Sequence, residues 1–102
     1  MARFDVHRYR GSSRRVPYLL DIQSDFLAEL RSRVVVPLVP LTRFGTPIAR
    51  LNPVFEIDGV AQVMVTTELA GVALSMLGDI VTSLDAEHDR IVQAIDFLLQ
   101  GF

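Results

Sequence analysis

The sequence predicts a mainly antiparallel β domain with one appended C-terminal helix, a small barrel-like α+β fold. Three observations carry that expectation. Short β-branched and apolar runs recur along the first two-thirds of the chain, separated by Gly, Pro, Ser and Asp. Asp58-Gly59 stands between two alternating runs, which is a strong local hairpin signal. From Asp85 onward the apolar spacing becomes that of a helix. A chain of 102 residues is long enough for one domain, residues 1–102, with a modest core.

Phe4, Val6 and the following His7-Arg8-Tyr9 open a first strand by period-two alternation. Arg10-Gly11-Ser12-Ser13-Arg14-Arg15 has the composition of a basic turn. Val16 to Ile22 reads as a second strand, with Pro17 at its start, where a missing N–H is tolerated. Gln23-Ser24-Asp25 breaks it, and Phe26 to Leu30 fits one short helical turn. Arg33 to Val39 is β-branched and apolar. Pro37 and Pro40 point to an edge strand, because proline cannot donate to a central ladder. Leu41 to Asn52 is a longer connection.

Val54 to Ile57 and Val60 to Val65 form a hairpin around Asp58-Gly59. A type I′ turn there needs positive φ at both central residues. Residues 69–81 are ambiguous. Leu69, Val72, Ala73, Met76, Leu77, Ile80 and Val81 fit a helical stripe, but Gly71 and Gly78 weaken a helix by roughly 1 kcal/mol each. Asp85 suits an N-cap for the last helix, and Glu87 and Asp89 suit its dipole. Ile91, Ile95 and Leu98 form the expected buried seam, widened by Val92 and Leu99.

Composition excludes several functional classes. Half of the residues are hydrophobic, which on so small a domain favours oligomerisation. No apolar run approaches the ~18 residues that span a bilayer. The N-terminus lacks the apolar stretch of a signal peptide, so a cytoplasmic location is expected. There is no cysteine, hence no disulfide or thiolate chemistry. The net charge of −2 argues against general nucleic-acid binding, yet the charge is unevenly placed. Residues 1–50 hold nine Arg and four acids; residues 51–102 hold one Arg and eight acids. Every cation is an arginine, and the plainest source of that bias is genomic base composition.

Chemistry-bearing patterns are sparse. His7 and His88 have no partners at metal-ligand spacing except Glu87 and Asp89, acids of a charged helix start. Ser24-Asp25 reads as a turn or cap, and Thr66-Thr67-Glu68 as a strand end whose hydroxyls bond the backbone. No catalytic residue, metal ligand or cofactor is assigned. Two features remain. One is the loop carrying Arg8, Arg10, Arg14 and Arg15, which suits either solvent or an acidic partner segment. The other is the terminal Gly101-Phe102, an aromatic left beside a carboxylate after a helix breaker. Packing at a dimer interface and insertion into a partner both fit it.

The whole chain resembles the CcdB family, the gyrase-poisoning toxins of type II toxin–antitoxin modules. The resemblance is carried, in order, by Asp21-Ile22-Gln23-Ser24-Asp25, Val35-Val36-Pro37-Leu38, Leu51-Asn52-Pro53-Val54 and Val65-Thr66-Thr67-Glu68-Leu69-Ala70. Asp85 to Ile95, leading to a terminal Gly plus hydrophobe, completes it.

That resemblance implies an SH3-like antiparallel β-barrel-type domain with a small extra sheet and a C-terminal helix. It also implies a strand at residues 69–75, and a homodimer with its terminal helices near the two-fold axis. Such toxins are not enzymes. They bind the gyrase A protein, the DNA-cleaving component of DNA gyrase, and trap the cleaved DNA complex, a role tied to plasmid maintenance. They are neutralised by a disordered, CcdA-like antitoxin, and direct nucleic-acid or membrane partners are not implied.

Family gyrase contacts fall on Phe26, Leu27, Asp96, Leu99, Gln100, Gly101 and Phe102. Antitoxin contacts fall on Arg8, Arg10, Arg14 and Arg15. The family tripeptide Trp-Gly-Ile is here Gln100-Gly101-Phe102. Two alternatives therefore stay open beside the gyrase poison. One is a protein that binds antitoxin but has lost or altered gyrase poisoning. The other is an endoribonuclease of the related barrel family, using the arginine loop on phosphates.

Overall fold

A computed structural model describes residues 1–13 and 15–102. Among the described residues, seven antiparallel strands and two α-helices follow one another. They are β1 (Asp5–Tyr9), β2 (Tyr18–Asp21), β3 (Ser32–Pro40), α1 (Leu41–Phe44), β4 (Val54–Ile57), β5 (Val60–Met64), β6 (Ala70–Ala73), β7 (Leu77–Ser83) and α2 (His88–Gln100). The strands make one connected, curled sheet in the order β4-β5-β3-β2-β1-β7. The small extra sheet is a branch of it, because β6 pairs with β3 beside β5. The barrel-type α+β expectation holds.

The strand expected at an edge lies at the centre. β3 pairs with β2 on one side, and with β6 and then β5 on the other. Pro37 is tolerated there by position. Its carbonyl accepts from Val65 N–H at 3.0 Å, so the missing donor faces the side where the partner changes. β6 begins opposite Val35 and β5 ends opposite Leu38, so Pro37 lies in the gap between them with no ladder bond to donate. Pro40 is the last residue of β3 and precedes α1.

The hairpin at residues 54–64 has the expected turn. Asp58 has φ 50° and Gly59 φ 78°, the pair of positive values that a type I′ turn requires. The helical stripe at residues 69–81 gives way to two strands, β6 and β7, with a 3-10 turn at Leu74–Met76 between them. Gly78 shows why. A Cβ there would lie 2.9 Å from the Arg8 carbonyl, so β7 runs against β1 too closely for any other residue. Thr66–Glu68 is a 3-10 turn rather than a strand end, and the Thr66 hydroxyl bonds the Leu51 carbonyl.

Two apolar clusters hold the two faces of the sheet. On one face Val6, Leu20, Val36, Leu38 and Met64 pack with Phe55 and Ile57, and Ile91 and Ala94 of α2 close over them. The opposite parity, Leu19, Val35 and Leu77, meets Tyr9, Val16, Val72 and Leu74. The buried seam of α2 therefore differs from expectation. Ile91 and Ala94 are buried, Ile95 and Leu98 half-buried, and Leu99 exposed. Asp85 does not cap α2. It begins a separate 3-10 turn, and α2 starts after Glu87 with no side-chain cap.

Candidate partner-binding surfaces

The C-terminal end of α2 is built to present apolar side chains. Gly101 adopts φ 81°, and its N–H donates to the Phe97 carbonyl at 2.9 Å, the left-handed cap that stops a helix. The turn leaves Leu99 72% exposed and Phe102 73% exposed, with Gln100 also exposed. Asp96 is half-buried on the same helix. Exposing two large apolar side chains at one helix end gives no folding benefit.

A second apolar knob stands at the 3-10 turn Asp25–Leu27. Phe26 is fully exposed, and Leu27 and Leu30 are each 50% exposed. The turn itself is rigidly anchored. Ser24 Oγ accepts from Phe26 N–H, and Asp25 Oδ1 accepts from Arg3 N–H at 2.8 Å. The Gln23 amide is buried: its Nε2 donates to the Leu27 carbonyl at 2.8 Å, and its Oε1 accepts from Val34 N–H at 3.0 Å. The expected cap role of Ser24 is thus observed. Part-buried hydrogen bonds of Gln23, with exposed ones at Ser24 and Asp25, fix the turn with its apolar residues outward.

The two knobs are not adjacent in the chain's fold. Arg3 anchors Asp25, and the next residue, Phe4, meets the His88 ring edge-on at 5.3 Å. The Phe26 turn therefore lies toward the start of α2. Leu99 and Phe102 lie at its far end, about 20 Å along a helix of 13 residues.

The basic loop borders a groove. Arg8 and Arg10 are exposed; Arg14 lies outside the described residues. Arg15 crosses to Glu68, with Nη1 to Oε2 at 3.2 Å and both side chains about half exposed. Ser13 Oγ accepts from the N–H groups of Arg15 and Val16, which orders this side of the loop. Beneath that strap Tyr9, Val16, Leu19, Val35, Pro37 and Val72 line a groove of about 200 Å³. A Cβ at Gly11 would meet the tip of the Tyr9 ring, so a larger residue there would displace that ring from the groove wall.

The groove was not singled out in sequence, because strands distant in the chain assemble it. Arg50 gave no sequence signal either. It is a non-glycine residue at φ 70°, and its guanidinium lies 5.0 Å from the Phe97 ring centre.

Residues 3–101 match the family model described as CcdB protein. Among solved structures, the chain is similar to an endoribonuclease in complex with its cognate antitoxin from a mycobacterial species. Identity is 14%, the TM-score is 0.77, and the match covers 97% of this chain and 94% of that one. At that identity the likeness is one of fold.

Proposed function

The chain belongs to the CcdB family, and from that premise we propose that it is the toxin of a toxin–antitoxin module. In this reading it acts as a homodimer, binds the gyrase A protein of DNA gyrase, and stabilises the complex in which DNA is cleaved. It works by binding and is not an enzyme. The observation that carries the reading is the presented end of α2, where Gly101 caps the helix and Leu99 and Phe102 stand in solvent. Two-fold pairing would repeat that end and the Phe26 knob, and give one target several apolar anchors.

The antitoxin is proposed to lie on the opposite surface. The exposed Arg8 and Arg10 offer charge to an acidic segment, and the groove under the Arg15–Glu68 strap offers apolar burial. A disordered chain that folds on binding needs both, since it must offset its own ordering entropy.

Gln100 favours one variant of this reading. It is exposed where the family carries a tryptophan, and its amide has no π face. A protein that keeps antitoxin binding while gyrase poisoning is weakened or lost fits that position.

The test is purified protein with gyrase and supercoiled DNA, and separately with RNA. Trapped cleavage complexes support the poison. Antitoxin binding without cleavage complexes supports the weakened variant. Cleavage of RNA by the protein alone would overturn the non-enzymatic reading.

A further inference from the structure

A second cleft lies along α2, lined by Arg50, Pro53, Arg90 and Gln93, with a volume of about 230 Å³. Its two cations are held differently. Arg90 is braced: its guanidinium lies 4.7 Å from the Phe55 ring centre, Nη1 donates to Glu87 Oε2 at 2.8 Å, and Nη2 donates to the Val54 carbonyl at 3.1 Å. Arg50 lies over Phe97, and among the described residues no carboxylate pairs with it. Stacking on a ring restrains a guanidinium without using its five N–H donors.

Arg50 also sits at φ 70°, a left-handed conformation that is unfavourable for a non-glycine residue. A turn alone would be better served there by Gly or Asn.

We propose that the Arg50–Arg90 cleft binds a single carboxylate side chain from a protein segment that is otherwise uncharged. A guanidinium without a carboxylate partner, a second one fixed beside it and the Gln93 amide make a donor set that suits a planar two-oxygen anion. The surroundings select a single carboxylate over a polyanion. Residues 51–102 are strongly acidic, and Glu56, Glu87 and Asp89 flank the cleft in sequence. A nucleic-acid backbone would meet those charges along its length, whereas one carboxylate inside the cleft would not. This inference stands apart from gyrase poisoning and does not need it.

The experiment is a titration of the full chain, labelled with nitrogen-15, followed at the arginine Nε–Hε signals. The probe is a capped peptide with one Glu in an otherwise uncharged stretch, run in parallel with a single-stranded RNA. The expected result is saturable shifts at Arg50 and Arg90 and none at Arg10. Arg50→Gln should weaken peptide binding by about tenfold or more, the scale of a lost charge-assisted contact. Arg50→Gly should weaken it equally while relieving the backbone, which separates the guanidinium from the turn. Equal shifts at all exposed arginines would overturn the proposal. So would unchanged binding in both variants, or saturation of the cleft by RNA ahead of the peptide.

Discussion

Arg33 and Asp21 form an ion pair with no exposure to solvent. Nε and Nη2 of Arg33 both donate to Asp21 Oδ2, at 2.9 and 2.6 Å, while Asp21 Oδ1 accepts from Gln23 N–H at 3.0 Å. The pairing follows from register: Asp21 sits opposite Val35, so Arg33 is its diagonal neighbour on the same face. Through Gln23 the pair supports the turn that holds Phe26 outward.

Removing one partner strands a buried charge. Arg33→Ala is expected to destabilise the protein by about 3–5 kcal/mol. The double change Asp21→Leu with Arg33→Met should recover much of that loss. Among the described residues, Arg33 Nη1 has no hydrogen-bond partner, so the pair is incompletely compensated. Urea denaturation reads both variants. A loss below about 1 kcal/mol for Arg33→Ala would mean that the pair is not isolated from water as described.

Phe26 separates binding from stability. Its ring is fully exposed, so Phe26→Ser should change stability by less than about 0.5 kcal/mol. The same variant should bind the gyrase A protein more weakly. Calorimetry with that protein in isolation checks this, and wild-type affinity would remove Phe26 from the target-facing surface.

Gly101 governs the direction of the last residue. Gly101→Ala places a Cβ at φ 81° and should cost about 1–2 kcal/mol locally. The expected signature is faster amide exchange in the last turn of α2, with global unfolding little changed. Protection equal to wild type would show that the cap does not hold the terminus.

Gln100→Trp tests the missing aromatic. A desolvated cation–π contact is worth about 2 kcal/mol, so gyrase poisoning should rise by roughly 30-fold if the target offers an arginine there. Growth inhibition on induced expression reads it. An unaltered dose response would mean that the departure at this position is not what limits activity.

The basic loop should act through charge. Arg8→Ala combined with Arg10→Ala should weaken antitoxin binding and flatten its salt dependence, since both side chains are exposed. Arg15→Ala should act less through stability than through the groove, because its half-exposed pair with Glu68 is worth at most about 1 kcal/mol. Binding measured at two salt concentrations distinguishes these. Identical salt slopes would place the antitoxin elsewhere.

Local patterns were legible wherever one short segment decides its own conformation. Asp58-Gly59 specifies its turn because few residues accept positive φ in succession. Ser24 caps its turn, and Gly101 ends α2, for equally local reasons. Residues 69–81 were not legible in this way, because helical spacing and two short strands share the same apolar positions. The close approach of Gly78 to the Arg8 carbonyl favours the strand, and that contact joins residues seventy apart.

By itself the sequence determined the domain class, the hairpin, the terminal helix with its glycine stop, and the apolar character of its end. These rest on backbone preferences and on periodicity within single segments. Only the tertiary structure decided that β3 is central despite Pro37, because tolerance for proline depends on which neighbour faces the missing donor. It also placed the Phe26 turn and Phe102 toward opposite ends of α2, and set Arg50 and Arg90 around one cleft. Those relations are distances between segments remote in the chain, and no local pattern encodes them.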